Sequence, residues 1–273
     1  FFALAQSNTN PTIQAIQTEV APKLAVHQDA IVLNPKLFAR VKSVYDRREK
    51  LGLDSQAKFL VVRVYRQFVR GGAQLSEADK ATLRELNQEQ AKLTTDFRAK
   101  LLAANNAAAV VVDTREELDG LSEADIAGAA QRAKDRGLEG KYVLTLQNTT
   151  RQPITTTMTN RPLRLRIQKA SAERGRSGEN DTRPIATRLA QLRAQKAKLL
   201  GFPNHAAFSL DDQMAETPAR AEKLLTDLVA AATAKARGEA AKMQAIIDAE
   251  KGGFKLEAAD WNYYAEKVRK AEY

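Results

Sequence analysis

Apolar residues recur every third or fourth position along most of this 273-residue chain, the spacing that places them on one face of an α-helix. Capping signals mark several helix starts. Asn10 and Asn34 each precede a proline, and Ser76 and Ser122 each open a Ser-Glu-Ala-Asp run. The pattern predicts a mainly α fold, a large multi-helix domain. The predicted helices cover residues 11–31, 35–51, 55–70, 77–106, 123–136, 160–174, 182–200, 218–250 and 260–270.

One segment departs from the helical pattern. Residues 141–146 carry β-branched and aromatic side chains, residues 147–152 are polar, and residues 153–157 resume an extended composition. Two strands joined by a polar turn account for this order, so we predict one β-hairpin, near 141–157. The run Val110–Val112 is a candidate for another short strand.

The charge is distributed unevenly. The chain has 43 Lys and Arg against 33 Asp and Glu, a formal net charge of +10, and the whole surplus falls within residues 141–200. Such a window fits a solvated face, a surface for an acidic partner, or a phosphate-binding surface. The loop from Gly175 to Gly178 matches the GxxG loop of a KH domain. Tyr142 is, however, the window's only aromatic residue, so a stacking platform for bases is missing and we expect no nucleic-acid partner.

The residues of common catalytic sites are sparse. The chain has no cysteine, and its two histidines, His27 and His205, lie far apart without neighbouring ligands. No H-E-x-x-H, G-x-S-x-G, P-loop or G-x-G-x-x-G motif occurs. Apolar runs such as 107–112 are too short to span a membrane. From the residues alone, a self-standing helical scaffold or adaptor with a basic face remains an open alternative, and a nucleic-acid module a weaker one.

Short motifs spread over the chain are nevertheless specific as an ordered set. They are residues 33–40 (LNPKLFAR), 68–80, 101–105, 146–153 (LQNTTRQP), 180–183, 199–203 (LLGFP), 211–215, 252–254 and 260–269 (DWNYYAEKVR). Together they resemble the peptidyl-dipeptidase branch of the thimet oligopeptidase and oligopeptidase A family of zinc metallopeptidases.

The resemblance implies that residues 1–273 form the N-terminal helical lobe of a two-lobed bacterial enzyme and one wall of its narrow substrate channel. Members release dipeptides from the C-terminus of short peptides. Their zinc motif, His-Glu-Phe-Gly-His, belongs to the C-terminal half, and no position of this chain matches it. We therefore expect zinc in the full-length enzyme but none in this fragment, which is expected to be inactive. The expected partners are short peptides and the enzyme's own C-terminal half. The expected compartment is the cytoplasm, with the periplasm open because the chain begins at Phe1.

Two sets of residues are candidates for a role in such a lobe. Arg161 and Arg164 share a helix face, with Arg166 pointing elsewhere, and could lie on the channel wall, where positive potential attracts a peptide carboxylate. The alternative is a solvated basic face. A second face consists of Trp261, Tyr264 and Val268, spaced i, i+3 and i+7. It could dock on the missing half or pack wholly on this lobe.

Overall fold

The computed structural model describes residues 1–272, without the side chains of Leu4, Gln6 and Ser7. Within that range the fold is mainly α-helical, with one small sheet, as predicted. The helices are α1 (Phe2–Ser7), α2 (Pro11–Val32), α3 (Pro35–Arg47), α4 (Ser55–Arg70), α5 (Glu77–Ala107), α6 (Glu123–Lys134), α7 (Asn148–Thr157), α8 (Arg161–Glu173), α9 (Arg183–Leu199), α10 (His205–Leu210), α11 (Pro218–Ala249) and α12 (Trp261–Glu272). The strands are β1 (Val110–Val112) and β2 (Tyr142–Leu144).

The predicted caps form as hydrogen bonds. The Oδ1 atom of Asn10 accepts from the backbone N–H of Ile13 at 2.9 Å, and Asn34 caps α3 in the same way. Ser122 Oγ accepts from the backbone N–H of Asp125 at 3.2 Å. These side chains supply acceptors for amide groups that a helix start leaves without intrahelical partners, which explains why local sequence fixes these boundaries.

The predicted hairpin at 141–157 is wrong in its second strand. β2 pairs antiparallel with β1, with Val111 opposite Val143, whereas residues 153–157 belong to helix α7. Helix wins there because Ile154 is buried in the core, and because Thr155 Oγ1 donates to backbone carbonyls one turn earlier, satisfying its hydroxyl inside the helix. The candidate strand Val110–Val112 is confirmed.

The chain divides into two compact units. Unit 1 comprises residues Phe1–Ala99 and Arg183–Arg220, and unit 2 comprises Lys100–Thr182 and Ala221–Tyr273. In unit 1, α3 and α4 pack through stacked aromatic rings, with 3.9 Å between the ring centroids of Tyr45 and Tyr65. Arg70 Nη1, at the end of α4, donates to Asp211 at 2.6 Å.

Unit 2 contains two apolar clusters. The larger surrounds the small sheet and includes Val112, Leu144 and Met158, together with Leu163 and Ile167 of α8. The smaller joins α11 to α12 through three buried residues, Met243, Ile247 and Tyr264. Among residues 1–272 no helix combines the length and apolarity that crossing a membrane requires. The residues of interest for function lie where α7, α8 and α12 meet in unit 2.

Candidate functional site

The predicted pair Arg161 and Arg164 converges on one carboxylate, Asp260. Arg161 Nε lies 3.1 Å from both carboxylate oxygens, and its Nη2 lies 3.0 Å from Oδ2. Arg164 Nη2 donates to Oδ1 at 2.9 Å. The side chain of Asp260 is 0% exposed, so a buried carboxylate is shared by two guanidinium groups. The prediction that these arginines share a helix face is confirmed.

Arg164 is the more deeply enclosed of the two. Its side chain is 1% exposed, its Nη1 donates to the carbonyls of Met158 and Thr159, and its guanidinium lies 4.3 Å from the ring centroid of Tyr263. A buried guanidinium requires this set of partners, because leaving water without them costs several kcal/mol, of the order of 3 or more. Arg164 is therefore part of the interior of unit 2.

Arg161 occupies the rim of the same site. Its Nη2 also donates to Glu257 Oε1 at 2.6 Å, and its guanidinium lies 3.9 Å from the ring centroid of Phe254. The hydrogen bond to Asp260 raises the pKa of Arg161. For Asp260, burial alone would raise the pKa, but hydrogen bonds from both arginines outweigh burial and the pKa falls below its ordinary value. Asp260 is therefore ionised at neutral pH.

These contacts reduce the positive charge that residues 141–200 present to solvent. Arg166 points elsewhere, as predicted, and its Nη1 donates to Glu117 at 2.9 Å. Arg174 Nη1 donates to Asn105 Oδ1 at 2.6 Å. The attraction proposed for a channel wall needs charge that faces solvent, and Arg164 does not provide it. Placement of Arg161 and Arg164 on a channel wall stays a prediction, but Asp260 offsets their charge.

The three residues of the predicted docking face on α12 differ in how deeply they are buried. Tyr264 is 5% exposed and packs against Met243 and Ile247 of the same unit. Trp261 and Val268 are half-buried and border a cleft of about 270 Å³ beside Met243. Tyr264 thus follows the alternative of internal packing, whereas the docking role of Trp261 and Val268 stays a prediction.

A larger cleft, of about 790 Å³, opens on another side of Trp261. We call it the α7–α12 cleft. Its lining is rich in amide side chains and includes one charged side chain. The lining residues are Asn148, Thr149, Arg151, Gln152, Pro153, Thr156, Gln168, Ala258, Trp261 and Asn262.

Sequence reasoning missed the α7–α12 cleft because it assigned residues 147–152 to a hairpin turn. The overlooked signal is helical spacing: Asn148, Arg151 and Gln152 lie at i, i+3 and i+4, and these three residues line one cleft. Assigning residues 148–152 to a helix would have placed these three side chains on one face.

The described residues do not fit a zinc site. Within residues 1–272 no three His, Asp or Glu side chains come together in a way that could hold a metal ion. His27 is exposed on α2, and His205 is exposed at the first position of α10.

Comparison with known proteins gives consistent matches. The family model described as Peptidase family M3 matches residues 154–273. A dipeptidyl carboxypeptidase of Escherichia coli (strain K12) is 43% identical over 274 residues, covering 100% of this chain and 40% of that protein. Oligopeptidase A of the same strain is 27% identical over 269 residues, covering 97% of this chain and 39% of its own length.

A plant protein is also similar to this chain. The "Probable cytosolic oligopeptidase A" of Arabidopsis thaliana is 26% identical over 275 residues, covering 96% of this chain and 38% of that protein. The chain therefore spans about 40% of the length of the relatives it matches. The similarity to the first relative runs along the whole chain and agrees with the mainly helical fold. The chain is therefore similar along its whole length to a dipeptidyl carboxypeptidase and to oligopeptidases A, and its residues 154–273 match the model of Peptidase family M3.

Proposed function

We propose that residues 1–273 form the N-terminal, non-catalytic lobe of a zinc-dependent peptidyl-dipeptidase that releases dipeptides from the C-terminus of short peptides. The observation that carries this proposal is the 43% identity to a dipeptidyl carboxypeptidase along 100% of the chain. The lobe forms one wall of the substrate channel and admits unfolded peptides. The plant relative's name, which includes the word cytosolic, favours the cytoplasm as the compartment.

The zinc ion belongs, in this proposal, to the part of the enzyme that the chain does not include. Zinc bound there would polarise the scissile carbonyl and activate a water molecule. The relatives are long enough for such a division, since this chain covers 40% of the first relative. The chain's own contribution is the shape and charge of the channel wall.

An uncovered apolar stripe on α11 supports the existence of a second lobe. Leu225 and Val229 are 65% and 58% exposed, and Leu228 is 57% exposed. Eighteen residues make five helical turns, so Leu225 lies on the same side of α11 as Met243, and Val229 on the same side as Ile247. α12 covers the second half of this stripe, whereas the first half is left uncovered by the described residues 1–272, its three side chains being more than half exposed.

The catalytic lobe is the occupant that we assign to the uncovered half of the α11 stripe. Contiguous exposed apolar surface of this kind typically marks an interface. Trp261 and Val268, which border the neighbouring cleft with Met243, extend the same surface. The docking role predicted for them thus joins the α11 stripe in a single interface.

The reading frame after residue 273 provides the first test. It should continue into an H-E-x-x-H motif, and the complete gene product should release dipeptides from short peptides in a chelator-sensitive manner. Residues 1–273 alone should release none. A stop codon or a continuation without that motif would refute the proposal.

The interface has its own test in the complete gene product. Leu228→Asp should lower the thermal midpoint and the dipeptide release, because it places a charge in the lobe interface. Ala230→Asp is the matched control, since Ala230 is also exposed but lies at least about 100° around α11 from each of the three stripe residues. Equal effects of the two substitutions would exclude the α11 stripe as the docking surface.

A further inference from the structure

We propose that the α7–α12 cleft binds the free α-carboxylate of a peptide, with Arg151 as the charged group that recognises it. This inference rests on the proposed function, in that the peptide would be the enzyme's substrate. It replaces the sequence-based candidates Arg161 and Arg164 with a different arginine, chosen by its contacts rather than by the charge of the window.

Arg151 differs from the neighbouring arginines in having no carboxylate partner. Arg161, Arg164 and Arg166 all form ion pairs with carboxylates at 3.1 Å or less. Within residues 1–272 no carboxylate pairs with Arg151, and its Nε is buried without a hydrogen-bond acceptor. Arg164 Nε is buried in the same way, but Arg164 does not line the cleft, whereas Arg151 does. An entering carboxylate would supply a charged acceptor for the Nη groups of Arg151. Arg151 is thus suited to a carboxylate ligand.

The helix that carries Arg151 begins at the cleft. α7 begins at Asn148, and Gln147 before it makes no side-chain capping hydrogen bond. The first backbone N–H groups of a helix have no intrahelical acceptor and carry partial positive charge. Asn148 and Thr149 line the cleft together with Arg151. The start of α7 therefore adds to the attraction that the guanidinium exerts on an anion.

The rest of the cleft wall suits a peptide better than an inorganic ion. Asn262 Nδ2 donates to Thr155 Oγ1 at 3.0 Å, which leaves its carbonyl oxygen as an acceptor for a peptide N–H. Gln152 and Gln168 provide further amide groups, and Trp261 provides an apolar surface for a side chain. The volume of about 790 Å³ lies in the range of small-ligand sites, which is about 300–1,000 Å³. The cleft thus offers room for a dipeptide as well as for its carboxylate.

The buried Asp260 does not oppose an anion in this cleft. It precedes Trp261 and Asn262 directly in the sequence, but Arg161 and Arg164 neutralise it by hydrogen bonds. Arg151 therefore remains the uncompensated charged side chain among the residues that line the cleft.

Fluorescence of Trp261 offers a direct binding assay, because Trp261 is the only tryptophan of the chain and borders the cleft. The probe is N-acetylated tetra-alanine with a free C-terminal carboxylate, titrated into residues 1–273. Its C-terminal amide, acetate and inorganic phosphate are titrated in parallel. We expect saturable binding of the free acid and about tenfold or greater weakening for the amide, because the amide loses a charge-assisted bidentate hydrogen bond.

Substitutions then assign the carboxylate to one residue. Arg151→Gln should weaken binding of the free acid about tenfold or more and leave binding of the amide unchanged. Arg151→Lys should fall between Arg151→Gln and the original chain, since lysine keeps the charge without the planar fork. Arg166→Gln is the control: it removes an exposed arginine outside the cleft and should leave the affinity unchanged. Circular dichroism spectra must match that of the unsubstituted chain for each comparison.

Several results would overturn the inference. They are equal affinity for acid and amide, an unaffected Arg151→Gln variant, acetate or phosphate binding as tightly as the peptide, and no binding at all. The assay needs neither zinc nor catalysis, so its failure is distinguishable from failure of the proposed function. Should the peptide not bind while the complete gene product releases dipeptides, only the cleft assignment falls. Should it bind while the reading frame lacks H-E-x-x-H, only the proposed function falls.

Discussion

The substitution Asp260→Asn should destabilise unit 2 severely, although it hardly changes the size of the side chain. The substitution removes the negative charge that two arginines share and keeps the shape of the side chain. Arg164, 1% exposed, would then remain inside the protein with its backbone acceptors but without a counter-charge. Arg161 would suffer less, because it is nearer to solvent and retains Glu257 at 2.6 Å.

The size of the effect follows from this burial. Removing one partner of a buried ion pair costs about 3–5 kcal/mol, mostly as the penalty for the charge that stays behind. The asparagine still offers one acceptor oxygen to Arg164, so we expect the lower end, about 3 kcal/mol. Glu257→Gln is the matched control, since Glu257 pairs with the same Arg161 but is 58% exposed. An exposed pair of this kind is worth less than about 1 kcal/mol.

Urea unfolding followed by Trp261 fluorescence reports on the right part of the chain, because the only tryptophan is next to Asp260 in unit 2. With a urea dependence of about 1–3 kcal/mol per molar, a loss of about 3 kcal/mol lowers the midpoint by about 1 M or more. Adding Arg164→Met to Asp260→Asn should recover part of the loss, because it removes the stranded charge. Equal midpoints for Asp260→Asn and Glu257→Gln would refute the reasoning.

Three further predictions concern stability. The pKa of Asp260 is lowered in the folded state, so unit 2 should lose stability as the pH falls from the unfolded-state pKa of about 3.9 toward the folded value. In acid-unfolding curves, the substitution Asp260→Asn should weaken this pH dependence. Gly120→Ala should cost more than Gly137→Ala in thermal unfolding. Both glycines have positive φ, but a Cβ at Gly120 would clash with the Thr157 carbonyl oxygen, whereas one at Gly137 meets nothing within 4 Å. Ser122→Ala should cost about 1 kcal/mol by urea unfolding because it removes the cap of α6; no measurable change would contradict that role for the cap.

Helix positions could be predicted from the sequence because their causes are local. The prediction 55–70 coincides with Ser55–Arg70, and 218–250 differs by one residue from Pro218–Ala249. A proline at the first helical position and an acceptor side chain before it act within three residues of the boundary. α3 is the larger deviation: it ends at Arg47 rather than 51, and a turn with Gly52 in the left-handed conformation follows.

The small sheet shows where local reasoning stops. Residues 142–144 were correctly assigned to a strand, but their partner is Val110–Val112, on the far side of α6, and not the neighbouring 153–157. Strand pairing is a tertiary choice, made here by burial of Val112 and Val143, both 0% exposed. The β-branched residues around Thr155 have an intrinsic preference for strands. In the folded protein, the packing of Ile154 in the core outweighs that preference.

Only one part of the arginine site could be predicted from the sequence. The shared face of the two arginines follows from their local spacing, whereas their carboxylate partner is distant in the sequence. The spacing of Arg161 and Arg164 predicts a shared face on any helix. Their partner Asp260 lies 96 positions from Arg164, in another element, so no local pattern reveals the pairing. For the same reason the formal surplus of residues 141–200 overstates the positive charge that solvent meets there.

Recognition of a carboxylate depends on where positive charge remains uncompensated, not on how much a segment contains. Arg161 and Arg164 attract an anion weakly at any distance, because Asp260 and Glu257 lie at 2.6–3.1 Å and offset their field. Arg151 belongs to the same basic window but has no such neighbour and faces amide groups and Trp261. Net charge brought attention to the window, and among its basic residues Arg151 is the one that lines the α7–α12 cleft. An anionic peptide end that enters this unit would therefore meet Arg151 as its counter-charge in the α7–α12 cleft.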